Sequence, residues 1–507
     1  MAIRITGSAS GLDTDAMVQE LVKAYDEKGK QYTKNRTKTE WKQEAWITLN
    51  NKIKNFYSKY ASNMRFSDMY NKKATTVSDS SKASIVASAN AVNGTQTLKV
   101  NKLASSAYLT GSELKKDTEG NKVTKETTLA DLGVLTGTNT SELRIKKGIG
   151  DEENPYDEDA TKKITLTADM TLGEVAKLIG EAGYTANFDD STGRFFISSK
   201  ESGAANNFEF ESDNESILTG LGLKGGNSAK ITGTDAEIEL NNAKFNSSSN
   251  TFSINGLTIT AKDVTTGAGV NIVTDTDYDS IYNNIKNFLK EYNSIINEID
   301  KLYNADSAGK YEPLTDEEKD ALTDTEVEKW EKKIKDSLLR KDSDLDSIGS
   351  AMRNAMLQTF DINGTKYSLS SFGIGTLGYF EAADNEKNAY HIDGNADDMD
   401  TAEKEDKLKS MIASNTADTS EFFQKLVGGL YDAMNKIQSR SDNYTSFGNF
   451  FSDKKLTNEY TDQTKQIDKW EKYVADIEEK YYKQFTAMES ALSSLQSQQS
   501  YISQLFA

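Results

Sequence analysis

Six apolar or aromatic residues near the end of the chain stand seven apart: Ile467, Val474, Tyr481, Met488, Leu495 and Ile502. Trp470, Ile477, Ala491 and Leu505 fill a second row at the same spacing, with Gln484 and Gln498 as polar interruptions. An α-helix turns every 3.6 residues. A strict seven-residue repeat therefore keeps one stripe against a partner only if the helix supercoils, left-handed, around that partner. No strand can use this period, because strands alternate faces every two residues. Residues 467 to 506 make a helix about 60 Å long. This end of the chain thus requires a partner surface of similar length.

The other end offers one. Asp13 is a suitable N-cap, and Asp15 places negative charge on the positive end of a helix dipole. After Leu12, the residues Val18, Leu21, Val22 and Tyr25 follow at helical spacing. Val18, Tyr25, Tyr32, Thr39, Trp46, Ile53 and Tyr60 then recur every seven residues, and Leu49 and Phe56 complete a second row late on. Between 26 and 42 that second row is Lys28, Asn35 and Lys42, and Gly29 weakens the helix by roughly 1 kcal/mol. The pattern predicts helix over 13–66 with a break or bend near 26–40. The simplest arrangement pairs the two chain ends as a stalk.

Between the ends the period changes. Residues 74–107 alternate Ser and Thr with Val, Ile and Ala, and Asn93-Gly94 is a hairpin-type dipeptide. GTQTLKVNKLA reads as a strand over 95–103. Residues 108–234 hold a helix over 171–183, a hairpin in YTANFDDSTGRFFISS and the acidic loop DEENPYDEDA. Strands return over 235–274. From 277 helices dominate: 280–303 with Ile281, Ile285, Phe288, Tyr292, Ile295, Ile299 and Leu302 on one face, a charged stretch over 315–357, then 402–412 and 418–440, with a short β interlude at TFDINGTKYSLSSFGIGTLGY. The fold class is α+β and multidomain, with terminal helices forming a coiled-coil or bundle leg and β-rich head domains between them. The expected division is a terminal-helix segment (1–40), a leg helix (41–73), a head domain in two parts (74–107 and 235–276), an inserted outer head domain (108–234), a helical leg domain with a small β element (277–480) and a C-terminal helix (481–507).

Composition narrows the function. The formal net charge is −19 and no basic block exists, which argues against nucleic acid and anionic membranes as partners. No window approaches the 18 apolar residues of a membrane span. The first 30 residues carry Asp13, Asp15 and Glu20 and no apolar run typical of a secretory signal. Taken alone, that leaves the protein inside the cell.

Catalytic constellations are scarce. The chain has no cysteine and one histidine, His391, so triads, thiolate sites and His-metal clusters are not expected, and no cofactor is predicted. Gly220-Leu-Gly-Leu-Lys-Gly225 matches a dinucleotide fingerprint but is not followed by a helical sequence. DTDYDS (275–280) and DSDLDS (342–347) begin like calcium loops, yet the sixth position is Ser280 or Ser347 and the twelfth Lys286 or Arg353. Both read as acids at helix starts. Nothing singles out an acid pair for glycosidase chemistry among 79 Asp and Glu. The chain is expected not to be an enzyme.

ITGSASGLDTDAMVQELV resembles the opening of the bacterial flagellar filament cap family, also called flagellar hook-associated protein 2. TLKVNKLASSAYLTG is similar to the family's first head strand, and TLGEVAKLIGEAGYTANFDDSTGRFFISSKESGAAN to a unit shared with other hook-associated proteins. YEPLTDEEKDALTDTEVEKWEKKIKDSLLRKDSDL, LSSFGIGT and KYYKQFTAMESALSSLQSQQSYISQLF resemble the C-terminal domain and final helix. Residues 108–165 match little.

The resemblance implies a structural cap at the distal filament tip that promotes ordered polymerisation of exported flagellin. It implies a ring-shaped homo-oligomer, usually a pentamer, with legs set between flagellin subunits. It further implies export without a cleaved signal through the flagellar type III route, served by the export apparatus and by a chaperone at the C-terminal helix. That places the protein outside the cell. Contacts with self or with flagellin are expected along Leu12, Val18, Leu21, Val22, Tyr25, Tyr32, Trp46, Ile53, Ile467, Trp470, Val474, Ile477, Tyr481, Met488, Leu495 and Ile502, with legs bending at 26–40. Flagellin itself is the nearest structural alternative. A tip-exposed adhesin binding mucin or other host glycans through its polar head is the rival class, and an extracellular glycosidase the third.

Overall fold

A computed structural model describes residues 9–150 and 153–505. The chain divides into two compact units. One comprises the described parts of Met1–Tyr70 and Tyr278–Ala507, the other Asn71–Asp277.

In the first unit the N-terminal helix runs unbroken from Thr14 to Phe56. The Asp13 side chain accepts from the Ala16 amide at 3.0 Å, satisfying one of the orphan donors of the first turn. The expected break at 26–40 is absent. A Cβ on Gly29 would lie 2.7 Å from the Trp470 ring, so the glycine permits close approach by another helix instead of ending its own. Regularity is lost later, where Tyr57–Ala61 forms a π-helical turn. The polar second row also has partners: Lys28 lies over the Trp470 ring at 5.0 Å, and Lys42 pairs with Asp342 at 2.8 Å.

One apolar core ties the rest of this unit together. Trp46, Leu49 and Ile53 meet Phe288 and Tyr292 of the helix Tyr278–Tyr303, Met352 of Ser343–Met356 and Phe422 of Thr416–Gln438. Trp46 stacks on Phe451 with ring centroids 5.0 Å apart. The charged stretch over 315–357 is three helices, Asp316–Asp320, Asp324–Ser337 and Ser343–Met356. Its acids serve helix starts: Thr315 with Glu318 and Thr323 with Glu326 form capping boxes, and Asp342 caps the third helix. Asn363 and Gly364, both at positive φ, turn the hairpin Phe360–Ile362 with Thr365–Tyr367.

The second unit holds two cores. A five-stranded antiparallel sheet orders Lys73–Val77, Val270–Thr276, Gly94–Lys102, Ala236–Leu240 and Ala243–Ser247, and shares a core with a three-stranded sheet of Thr251–Ile254, Leu257–Ala261 and Ala83–Ala87. Asn241-Asn242 and Asn255-Gly256, at positive φ, make its tight turns. Asn93-Gly94 makes none. Ala83–Ala87 pairs with Leu257–Ala261, not with the strand after Gly94, and the Asn93 side chain accepts from Lys73 at 2.6 Å. The second core surrounds the helix Leu172–Glu181, capped by a Thr171–Glu174 box, and the hairpin Tyr184–Asp189 with Arg194–Ser199.

Candidate functional site

The terminal helices, 14–56 and 453–505, pack along each other. Trp470 is the hub. Its Nε1 donates to the Tyr25 carbonyl at 2.8 Å, its ring lies on Gly29, and Tyr32 approaches edge-on at 6.0 Å. Tyr25 also meets the ring of Tyr473 at 6.0 Å. The Tyr25 hydroxyl is also the main influence that raises the Tyr481 pKa above the ordinary tyrosine value. Lys30 and Lys34 reach Glu317 and Glu318 at 2.7 and 2.8 Å. The hydrogen bond to Glu317 pushes the Lys30 pKa up.

The expected contact residues separate into three groups. Trp46 and Ile53 belong to the core of the unit. Val18 and Ile467 are buried, and Val22, Tyr25, Tyr32, Trp470, Val474, Ile477 and Tyr481 are half-buried along the pair. Leu12, Leu21 and Met488 are exposed, as are Leu495 at 60% and Ile502 at 53%. The row of sevens thus leaves the interface beyond Tyr481. A helix at 3.6 residues per turn drifts about 20° per heptad away from a strict seven-residue row. The interface passes to the next row, Tyr482 and Glu489, which are buried, followed by Gln496, which bonds Ala9.

Sequence reasoning missed that polar row, although it repeats at the same spacing. It also missed the small residues before Leu12. Glu489 accepts from the Ala9 amide at 2.8 Å, the Ser10 amide at 3.1 Å and the Ser10 hydroxyl. The Gln496 amide donates to the Ala9 carbonyl at 2.7 Å. These bonds, the Ser10 hydroxyl first, hold the Glu489 carboxyl below the usual glutamate range.

Elsewhere, Gly220 ends the short helix Glu215–Gly220 and opens none. Asp342 caps a helix. His391 lies in the strand His391–Ile392, its Nδ1 2.7 Å from Asp398. With Asp400 these form a group whose ligand atoms lie within 4.8 Å of one another. A count of His and Cys does not address such a mixed cluster; Asp400 is exposed and the histidine is paired with Asp398. Among the described residues no helix is long and apolar enough to cross a membrane.

A sequence model of the C-terminus of flagellar hook-associated protein 2 matches residues 233–497, and one of its N-terminus matches 10–107. The chain belongs to the flagellar hook-associated protein 2 family. A relative from Halalkalibacterium halodurans with that name is 26% identical over 99% of this chain and all of its own. One from Thermotoga maritima is 24% identical over 68% of this chain and 53% of its own. The fold resembles the D1-D2-D3 domains of the flagellar cap protein FliD from Escherichia coli, with a TM-score of 0.55, 19% identity and coverage of 79% of this chain and 96% of that one. Hook-associated protein 2 is a structural cap component of the flagellum and not an enzyme. None of these matches supports the adhesin alternative.

Proposed function

We propose that this protein caps the distal tip of the flagellar filament and promotes ordered polymerisation of exported flagellin, with the paired terminal helices as its leg. Family membership supports the place, and one structural observation supports the mechanism. Met488, Leu495 and Ile502 form an apolar row on a long paired helix that its own partner leaves uncovered. In water such a row is a binding surface awaiting apolar contact.

In this reading Val18, Val22, Tyr25, Tyr32, Ile467, Trp470, Val474, Ile477 and Tyr481 hold the leg together, Trp46 and Ile53 root it, and Leu12, Leu21, Met488, Leu495 and Ile502 face flagellin or neighbouring copies. The same reading includes a ring of copies, five in number, export by the flagellar type III route, and a chaperone covering the C-terminal helix before assembly.

The test is complementation of a strain lacking its own cap, with filament length read by electron microscopy. The full chain restores long filaments. A Met488→Ser, Leu495→Ser, Ile502→Ser variant, secreted at normal level, leaves short ones. Full-length filaments from that variant would remove the row from the mechanism.

A further inference from the structure

Glu489 is 1% exposed, and buried glutamates are almost always paired. Among the described residues it has no cationic partner. Its charge is compensated by donors from the opposite end of the chain: two successive backbone N–H groups and the Ser10 hydroxyl. Successive amides turned toward one point form an anion-binding nest. Gly11, at φ +71°, provides the turn that follows, and the Leu12 amide closes it on the Ser10 oxygen at 3.2 Å. Ala9, Ser10 and Gly11 have no large apolar side chain to set against an apolar row. They have backbone and hydroxyl donors, which burial against an apolar row would leave unsatisfied.

We propose that Glu489 selects which face of the C-terminal helix the chain's own N-terminal end covers. The carboxylate holds Ala9–Gly11 on the row Tyr482–Glu489–Gln496 and off the adjacent row Met488–Leu495–Ile502. It is a positioning residue. The claim concerns the pairing of the two ends and does not depend on where the protein acts.

The absence of native cysteine gives a face-specific readout in the full-length protein. Ala9→Cys is combined with either Gln496→Cys or Leu495→Cys, and intramolecular disulfide yield under mild oxidation is compared. With Glu489 present, the Gln496→Cys pair forms several-fold more product. In a Glu489→Leu background that preference disappears. An unchanged preference would overturn the proposal.

Hydrogen exchange on Glu489→Gln, which keeps the shape and removes the charge, provides the second measurement. Exchange at residues 9–12 rises by about tenfold, the loss expected for charge-assisted bonds, while residues 25–32 and 467–477 keep their protection. Equal loss at all three segments would show general destabilisation and would likewise overturn the proposal.

Discussion

The helix Tyr278–Tyr303 and the C-terminal helix Asp453–Leu505 carry comparable apolar spacing, yet they end in different environments. Ile281, Ile285, Phe288, Tyr292 and Ile299 of the first are all buried inside one core. The stripe of the second is covered as far as Tyr481 and bare at Leu495 and Ile502. Apolar spacing therefore states that a face is to be covered. It does not state whether the cover comes from the same chain. Neighbouring elements decide that: the first helix is surrounded by others of its unit, while the second, beyond Leu456 in the core, packs chiefly along the N-terminal helix, and the described residues before that helix, Ala9–Gly11, are small and polar.

The largest effect separates these two helices directly. Phe288→Ala should lower the stability of the first unit by about 3–5 kcal/mol, the range for an aromatic removed from a packed core. Leu495→Ala should change it by no more than about 0.5 kcal/mol, as for other exposed positions. Denaturant unfolding of the full chain measures both. A large loss from Leu495→Ala would mean that its row is covered within the single subunit, and the contrast would fail.

A smaller effect tests why the N-terminal helix is continuous at Gly29. Alanine favours helix over glycine by about 1 kcal/mol, which alone predicts stabilisation. The added Cβ meets the Trp470 ring at 2.7 Å and displaces an indole bonded to the Tyr25 carbonyl. Overpacking of this kind costs about 1–3 kcal/mol. Gly29→Ala should therefore loosen the helix pair, seen as faster hydrogen exchange over 25–32, and the same substitution should tighten it in a Trp470→Ala background. The same sign in both backgrounds would refute the close-approach role.

Much of this architecture was legible because period reports directly on element type. The helices at both ends, the strands between them, the capped helix at 172–181 and the hairpin after it all follow from spacing and from cap and turn residues. Three features were not legible, for physical reasons. Gly29 is equally a breaker and a contact, and only the partner helix decides which. Asn-Gly turns a hairpin at 255 and 363 and none at 93, because strand pairing over long sequence distance decides which strands meet. The row facing the N-terminal end could not be picked out because a straight helix drifts off a strict seven-residue row, and a buried glutamate has no apolar signature.

The smallest effect concerns that glutamate. Its carboxyl is held below the usual range, chiefly by the Ser10 hydroxyl and then by the Ala9 amide. A group whose pKa is depressed by folding stabilises the folded form above its unfolded pKa, about 4.3 for glutamate. That contribution fades as pH falls through the lower, folded value. The chain ends should thus stay joined from neutral pH to below pH about 4.3, and separate only under stronger acid. Carbon-detected NMR of labelled glutamate, assigned by Glu489→Gln, should give a midpoint below that of exposed glutamates, returning upward in Ser10→Ala. If the midpoint equalled theirs, the nest would be too loose to distinguish the two faces of the helix, and the bare apolar row would need another cause.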